Sequence, residues 1–101
     1  MIIGGDFFIF TVTQDKHGGQ SIWRKDHHKY VLRKGSLNAV REDQMKLKFN
    51  GVEFAICSYT KGSGVETPES FKRRGYWLKD SPKYILVHYL DEANQFYLKW
   101  L

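Results

Sequence analysis

The sequence predicts an all-β domain, a mostly antiparallel sheet or sandwich of about 6–8 short strands with at most a short helical turn. Aromatic residues make up 16% of the 101-residue chain, an enrichment that suits pleated, half-buried surfaces. Met45, Leu47 and Phe49 alternate with Lys46 and Lys48, Asn50-Gly51 follows, and Val52, Phe54 and Ile56 alternate with Glu53, Ala55 and Cys57. Two period-two runs joined by Asn-Gly specify a tight type I′ hairpin. The one candidate helix, a turn from Ser36 within residues 35–43, offers Leu37, Ala39 and Val40, which do not complete an amphipathic stripe.

The remaining elements follow in order. Residues 7–13 mix aromatic and β-branched types as a first strand, and 14–19 supply a polar, glycine-containing turn. Residues 62–68 read as a flexible loop. Residues 76–78, 84–90 and 95–101 read as strands, with Asp80-Ser81-Pro82 and Asp91-Glu92-Ala93-Asn94 as the turns between them. No repeat or linker divides the chain, so residues 1–101 are expected to form one domain.

Several function classes recede on composition and spacing. Cys57 is the single cysteine, so no internal disulfide is expected and a reducing compartment is the natural setting. The longest apolar runs, such as Phe7-Phe8-Ile9-Phe10, fall far short of the ~20 residues of a membrane span, and the N-terminal residues lack the basic flank of a signal peptide. No membrane association and no small-molecule substrate are expected. His17, His27, His28, His88 and Cys57 show none of the paired spacings of a zinc site, and no Gly-rich phosphate loop is present. No metal or other cofactor is therefore expected. Cys57 lies in a predicted strand, where free thiols are commonly buried and inert, so the chain is not expected to be an enzyme.

Charge is informative through its placement. Sixteen Lys and Arg against eleven Asp and Glu give a net charge of +5. Residues 23–34 and residues 70–83 each carry net +4, leaving −3 for the rest. Two concentrated basic segments on a slightly acidic domain are the footprint of a polyanion ligand, with DNA, RNA and anionic lipid all admissible. Each segment sets its cations beside large aromatics, Trp23-Arg24-Lys25 in one and Phe71-Lys72-Arg73-Arg74-Gly75-Tyr76-Trp77 in the other. In a sheet such aromatics more often anchor the core than stack on bases, which favours an anchor role for Trp23 and Trp77.

Four ordered motifs carry a resemblance: Trp23-Arg24-Lys25, then Val40-Arg41-Glu42 leading to Leu47-Lys48, then Phe71-Lys72-Arg73-Arg74-Gly75-Tyr76-Trp77-Leu78, then Ile85-Leu86-Val87-His88-Tyr89. Together they resemble the DNA-binding domain of the calmodulin-binding transcription activators. The resemblance covers residues 5–91 and implies a nuclear domain that binds double-stranded DNA with a CGCG-type core, as part of a transcription regulator. Between Trp23 and Arg41 the chain is longer than that pattern. The immunoglobulin-like, ankyrin and calmodulin-binding regions of such activators are absent from these residues, so calmodulin is not expected to bind them.

On this reading Arg24, Lys25 and Lys29 are the expected base-edge contacts, with His27 and His28 as additional donors. Arg33, Lys34, Lys46, Lys48, Lys72, Arg73 and Arg74 are expected to hold phosphates. Arginine's planar fork suits a guanine edge, and lysine serves phosphate as a flexible point charge. The competing role for Arg73 and Arg74 is an ion pair with Glu66, Glu69 or Asp80. Two other functions stay open: a protein-interaction module with the same fold but without DNA contact, and a basic domain held at anionic surfaces.

Overall fold

The computed structural model describes residues 5–11, 16–17, 20–80 and 83–93. Alternating apolar and polar residues draw about half of these into one five-stranded antiparallel sheet. Its strands are β1 (Asp6–Thr11), β4 (Asp43–Phe49), β5 (Val52–Lys61), β6 (Phe71–Leu78) and β7 (Tyr84–Asp91), in the spatial order β1-β7-β6-β5-β4. A small ribbon of β2 (Lys16–His17) and β3 (Gln20–Ser21) precedes a 3-10 turn at Ile22–Arg24. The expected all-β class therefore holds among the described residues.

The hairpin follows its sequence signature. Asn50 and Gly51 both have positive φ, 50° and 78°, the two left-handed positions of a type I′ turn. The register runs evenly from Asp43↔Tyr59 to Leu47↔Ala55 and then shifts to Lys48↔Glu53, leaving Phe54 as the extra residue of a bulge. The Phe54 carbonyl accepts a hydrogen bond from the Lys79 N–H at 3.0 Å, so the bulge is tied to the end of β6.

Some expectations shift. The helical turn forms at Ile22–Arg24 and not from Ser36. Instead, an isolated bridge between Leu32 and Val40 closes residues 33–39 as a loop. The Ser36 hydroxyl accepts from the Ala39 N–H at 2.9 Å, the bond of a helix N-cap, but the chain joins the bridge at Val40 before a helix can follow. Strand β6 begins at Phe71, well before residue 76. Lys16–His17 lies in a strand where a turn was expected, and residues 14, 15, 18 and 19 of that turn lie outside the described residues. The expected strand at 95–101 also lies outside them, as do residues 81–82 and Asn94 of the later turns.

Because β1 and β4 occupy opposite edges of the sheet, the chain between them must cross it. It does so over one face, and the register says which side chains meet it. Phe8, Val87, Gly75, Ser58 and Gln44 form one row across the strands, and Tyr89, Arg73 and Thr60 belong to the neighbouring row of the same face. Trp23 is buried there against Ile85 and Val87, with Phe10, Trp77 and Tyr89 packed around them. Gly75 makes room for this: a Cβ there would lie 2.7 Å from Cη2 of the Trp23 indole. The anchor role expected of Trp23 is thus met, and Trp77 packs partly buried against the same cluster.

Gly75→Ala is expected to overpack this contact and cost about 1–3 kcal/mol, read as a lower urea midpoint. An unchanged midpoint would mean that the indole does not rest on the strand at this point.

Candidate nucleic-acid interface

Under the crossing segment lies an arginine that the pleat turns inward. Arg73 is only 1% exposed. Its Nη1 pairs with Asp26 Oδ2 at 3.1 Å and donates to the Arg24 carbonyl at 3.3 Å, while Nη2 pairs with Glu42 Oε2 at 3.4 Å. The guanidinium carbon also lies over the rings of Tyr30, at 4.4 Å, and Trp23, at 5.0 Å. A charge taken so far out of water persists only with partners on several sides, and these contacts supply them.

The two carboxylates are satisfied in turn. Asp26 Oδ2 accepts from the hydroxyls of Tyr30, at 2.7 Å, and Tyr89, at 2.8 Å. Glu42 accepts from Arg24 Nε, at 2.8 Å and 3.0 Å for its two oxygens, and from the Ser58 hydroxyl. Arg24, Asp26, Glu42 and Arg73 thus form a cluster with no net charge. Burial works against the charged form of Glu42, but the hydrogen bonds of Arg24 and Ser58 and the charges of Arg24 and Arg73 outweigh it. Its carboxyl is held below the ordinary value. The Tyr30 and Tyr89 hydroxyls are pushed well up, by burial first and by donating to Asp26 second.

This interior arrangement decides what faces outward. Between residues 24 and 41 Asp26 is the one carboxylate among six cations, Arg24, Lys25, Lys29, Arg33, Lys34 and Arg41. Asp26 is turned in toward Arg73, whereas Lys25, Lys29, Arg33, Lys34 and Arg41 are exposed. Every exposed charge on the outer surface of the crossing segment is therefore positive. Arg24 sits between the two layers, its side chain 34% exposed, held by Glu42 and lying 4.1 Å over the Trp23 ring. Arg24 and Arg33 line one hollow with Gln44, and His28 and Lys29 line a second with Leu37 and Asn38. His27 is exposed. The His28 ring packs 4.5 Å from Phe71, and burial, more than the neighbouring charges, lowers its pKa.

The expected site residues are therefore only partly brought together. Arg24, Lys25, His27, His28, Lys29, Arg33 and Lys34 all belong to the crossing segment. The phosphate role expected of Arg73 is corrected: its ion-pair partners are Asp26 and Glu42, not Glu66, Glu69 or Asp80, and its guanidinium is shut off from solvent. Lys72 and Arg74 flank it on β6, so alternation turns them to the other face of the sheet. There Arg74 approaches Glu92 at 4.0 Å and Lys72 pairs with Glu92 at 3.1 Å. Lys46 leans on Glu53 at 3.7 Å, opposite which Lys48 is placed by register. Sequence reasoning missed Asp26, Glu42 and Tyr89 as the interior partners. Lone carboxylates inside or beside basic runs were the available signal.

These features define a basic segment laid across a β-sheet and fixed to it by an interior arginine. The profile of the CG-1 domain matches residues 3–92, and the chain belongs to the CG-1 domain family. It is similar to Calmodulin-binding transcription activator 2 of Homo sapiens, 44% identical over 69 residues that cover 68% of this chain and 5% of that protein. Against Calmodulin-binding transcription activator 2 of Mus musculus it is 39% identical over 71 residues, covering 68% of this chain and 6% of that protein. The chain thus corresponds to about a twentieth of the length of these relatives. No solved structure matches it.

Arg73→Ala is expected to destabilise the fold by about 3–5 kcal/mol, because the half-buried Asp26 loses its counter-charge and Glu42 keeps only Arg24. Arg74→Ala should change stability by no more than about 1 kcal/mol. Urea denaturation of both variants checks this, and equal small effects would contradict the interior role. Acid should act through Glu42. Its folded pKa is depressed below 4.5, so its contribution is present above the unfolded value and is lost as pH falls through the folded one. The melting temperature of the wild type should drop from about pH 5 to pH 3. In Glu42→Gln it should start lower and decline less steeply over that span.

Proposed function

We propose that this chain binds double-stranded DNA as the DNA-binding domain of a nuclear transcription regulator, with a preference for a CGCG-type core. The observation that carries the reading is the outer face of the crossing segment, where every exposed charge between residues 24 and 41 is positive because Asp26 is committed to Arg73. Membership of the CG-1 domain family and the similarity to proteins named as transcription activators support it.

Within this reading Arg24 is the principal base-reading residue. Glu42 fixes one edge of its guanidinium and the Trp23 ring supports its face, so little side-chain freedom remains to be lost on binding. A guanine offers O6 and N7 as paired acceptors in the major groove, the pattern a planar fork can meet. Lys25, Lys29 and His27 stand beside it as further groove contacts, and His28 contributes through its packing. Arg33 and Lys34, with Lys46 and Lys48 on the edge strand β4, hold phosphates on either side. Arg41 pairs with Asp43 at 3.4 Å in a hollow that both line with Lys61, which bounds the basic face on that side. Arg73 positions the segment from below, and Arg74 takes no part. The DNA reading needs no covalent chemistry, in keeping with a domain that recognises and does not catalyse.

Titration of fluorescent duplexes, one with a CGCG core and one scrambled, over a salt series tests the proposal. The core duplex should bind tighter, and both affinities should fall with salt. Equal affinities would overturn the base preference. Salt-independent or absent binding would overturn DNA as the ligand, and capture by anionic vesicles alone would place the basic face on lipid. Lys34→Ala should weaken both duplexes alike and reduce the log–log salt slope by about 0.9, one counterion fewer. Arg24→Ala should narrow the difference between the duplexes, with a loss on the core of about 1–3 kcal/mol.

A further inference from the structure

The crossing segment exposes two apolar side chains among its cations, Leu32 in part and Leu37 almost fully. Leu37 is 96% exposed at the tip of loop 33–39. The loop is held from within. The Arg33 N–H donates to the Ala39 carbonyl at 2.8 Å, the Ser36 N–H donates to the Arg33 carbonyl at 3.0 Å, and the Ser36 hydroxyl accepts from the N–H groups of Asn38 and Ala39. Gly35 supplies the left-handed residue of the turn, with φ 81°. Arg33 and Lys34 lead into the tip, and the loop stands between the hollow lined by Arg24 and Arg33 and the hollow lined by His28 and Lys29.

We propose that Leu37 is a wedge that enters a base step of the bound duplex and kinks it, with Arg33 and Lys34 on the flanking phosphates. The proposal rests on the DNA reading given above and deepens it. A leucine carried at the tip of a loop braced by four internal hydrogen bonds can enter the slot between stacked bases while Arg33 and Lys34, which lead into the tip, reach the flanking phosphates. Apolar side chains inserted between base steps partly unstack them and bend DNA by about 20–90°, and the unstacking is offset by the additional backbone contacts that the bend allows. Cations placed immediately beside the wedge are where those contacts must form. Because Leu37 is so exposed, its removal takes almost nothing from the fold, and binding geometry can be examined without unfolding the protein.

The experiment compares the full chain with Leu37→Ser and Arg33→Ala on a CGCG duplex. Energy transfer between end-labelled dyes reads the bend, and a 2-aminopurine probe placed at successive steps reads unstacking. The wild type should shorten the end-to-end distance and raise 2-aminopurine emission at one step. Leu37→Ser should keep its melting temperature, bind the duplex, and give the distance and emission of free DNA. Arg33→Ala should bind more weakly yet retain the emission rise once saturated. Wild-type binding with no bend and no emission change would overturn the wedge while leaving DNA binding intact, as would a Leu37→Ser complex indistinguishable from wild type. If the wild type bound no duplex, the DNA reading itself would fall; if it then bound anionic vesicles through Leu37, the loop would be a membrane contact.

Discussion

Burying a guanidinium beneath a segment that crosses a sheet imposes a charge balance, and in this domain that balance organises both the interior and the surface. Arg73 reaches no solvent, so its charge must be met by Asp26 and Glu42. Both carboxylates lie on or next to the crossing segment, 47 and 31 residues away along the chain. Satisfying Arg73 therefore pins the segment at two points, and Trp23, just before the first of them, rests against Gly75. Such a buried cluster need not add much net stability relative to an apolar one of the same shape. What it does here is fix where the segment lies and which way its side chains face.

The surface consequence is an electrostatic sorting. A basic run containing one acidic residue would ordinarily present mixed charge. Drawing Asp26 inward leaves only positive charges exposed on the segment, and Glu42 holds Arg24 in a set orientation without cancelling them. Preorganised cations on a rigid support lose little conformational entropy on meeting a polyanion. The opposite face of the sheet has a different character: Phe7, Ile9, Met45, Leu78 and Tyr84 are exposed there, and its cations Lys72 and Arg74 lie near Glu92.

Local patterns were legible in the sequence and long-range ones were not. The β4–β5 hairpin could be read because Asn50-Gly51 and the alternation around it act within a few residues. Strand β7 could be read because the apolar run from Ile85 to Leu90 is bounded by turn residues on both sides. The motif around Phe71-Lys72-Arg73-Arg74 identified the family but not the orientation of its cations. Which of Arg73 and Arg74 faces inward depends on pairing with Tyr59, Thr60, His88 and Tyr89, partners fixed only by the whole sheet. The bulge at Phe54 shifts the alternation in β5, a further change of parity invisible locally. Loop 33–39 misled toward a helix because Ser36 has the chemistry of a helix start, while the bridge between Leu32 and Val40 that closes the loop is set by the crossing itself.

The division between interior and exterior arginines can be observed directly by 15N-edited NMR of arginine side chains, recorded with and without a CGCG duplex. Arg73 should show a guanidinium protected from exchange with water, its resonances nearly unchanged on adding DNA, while those of Arg24 and Arg33 shift. A rapidly exchanging Arg73 whose resonances move with the duplex would contradict the account, because the cluster would then be open and the basic face would not rest on it.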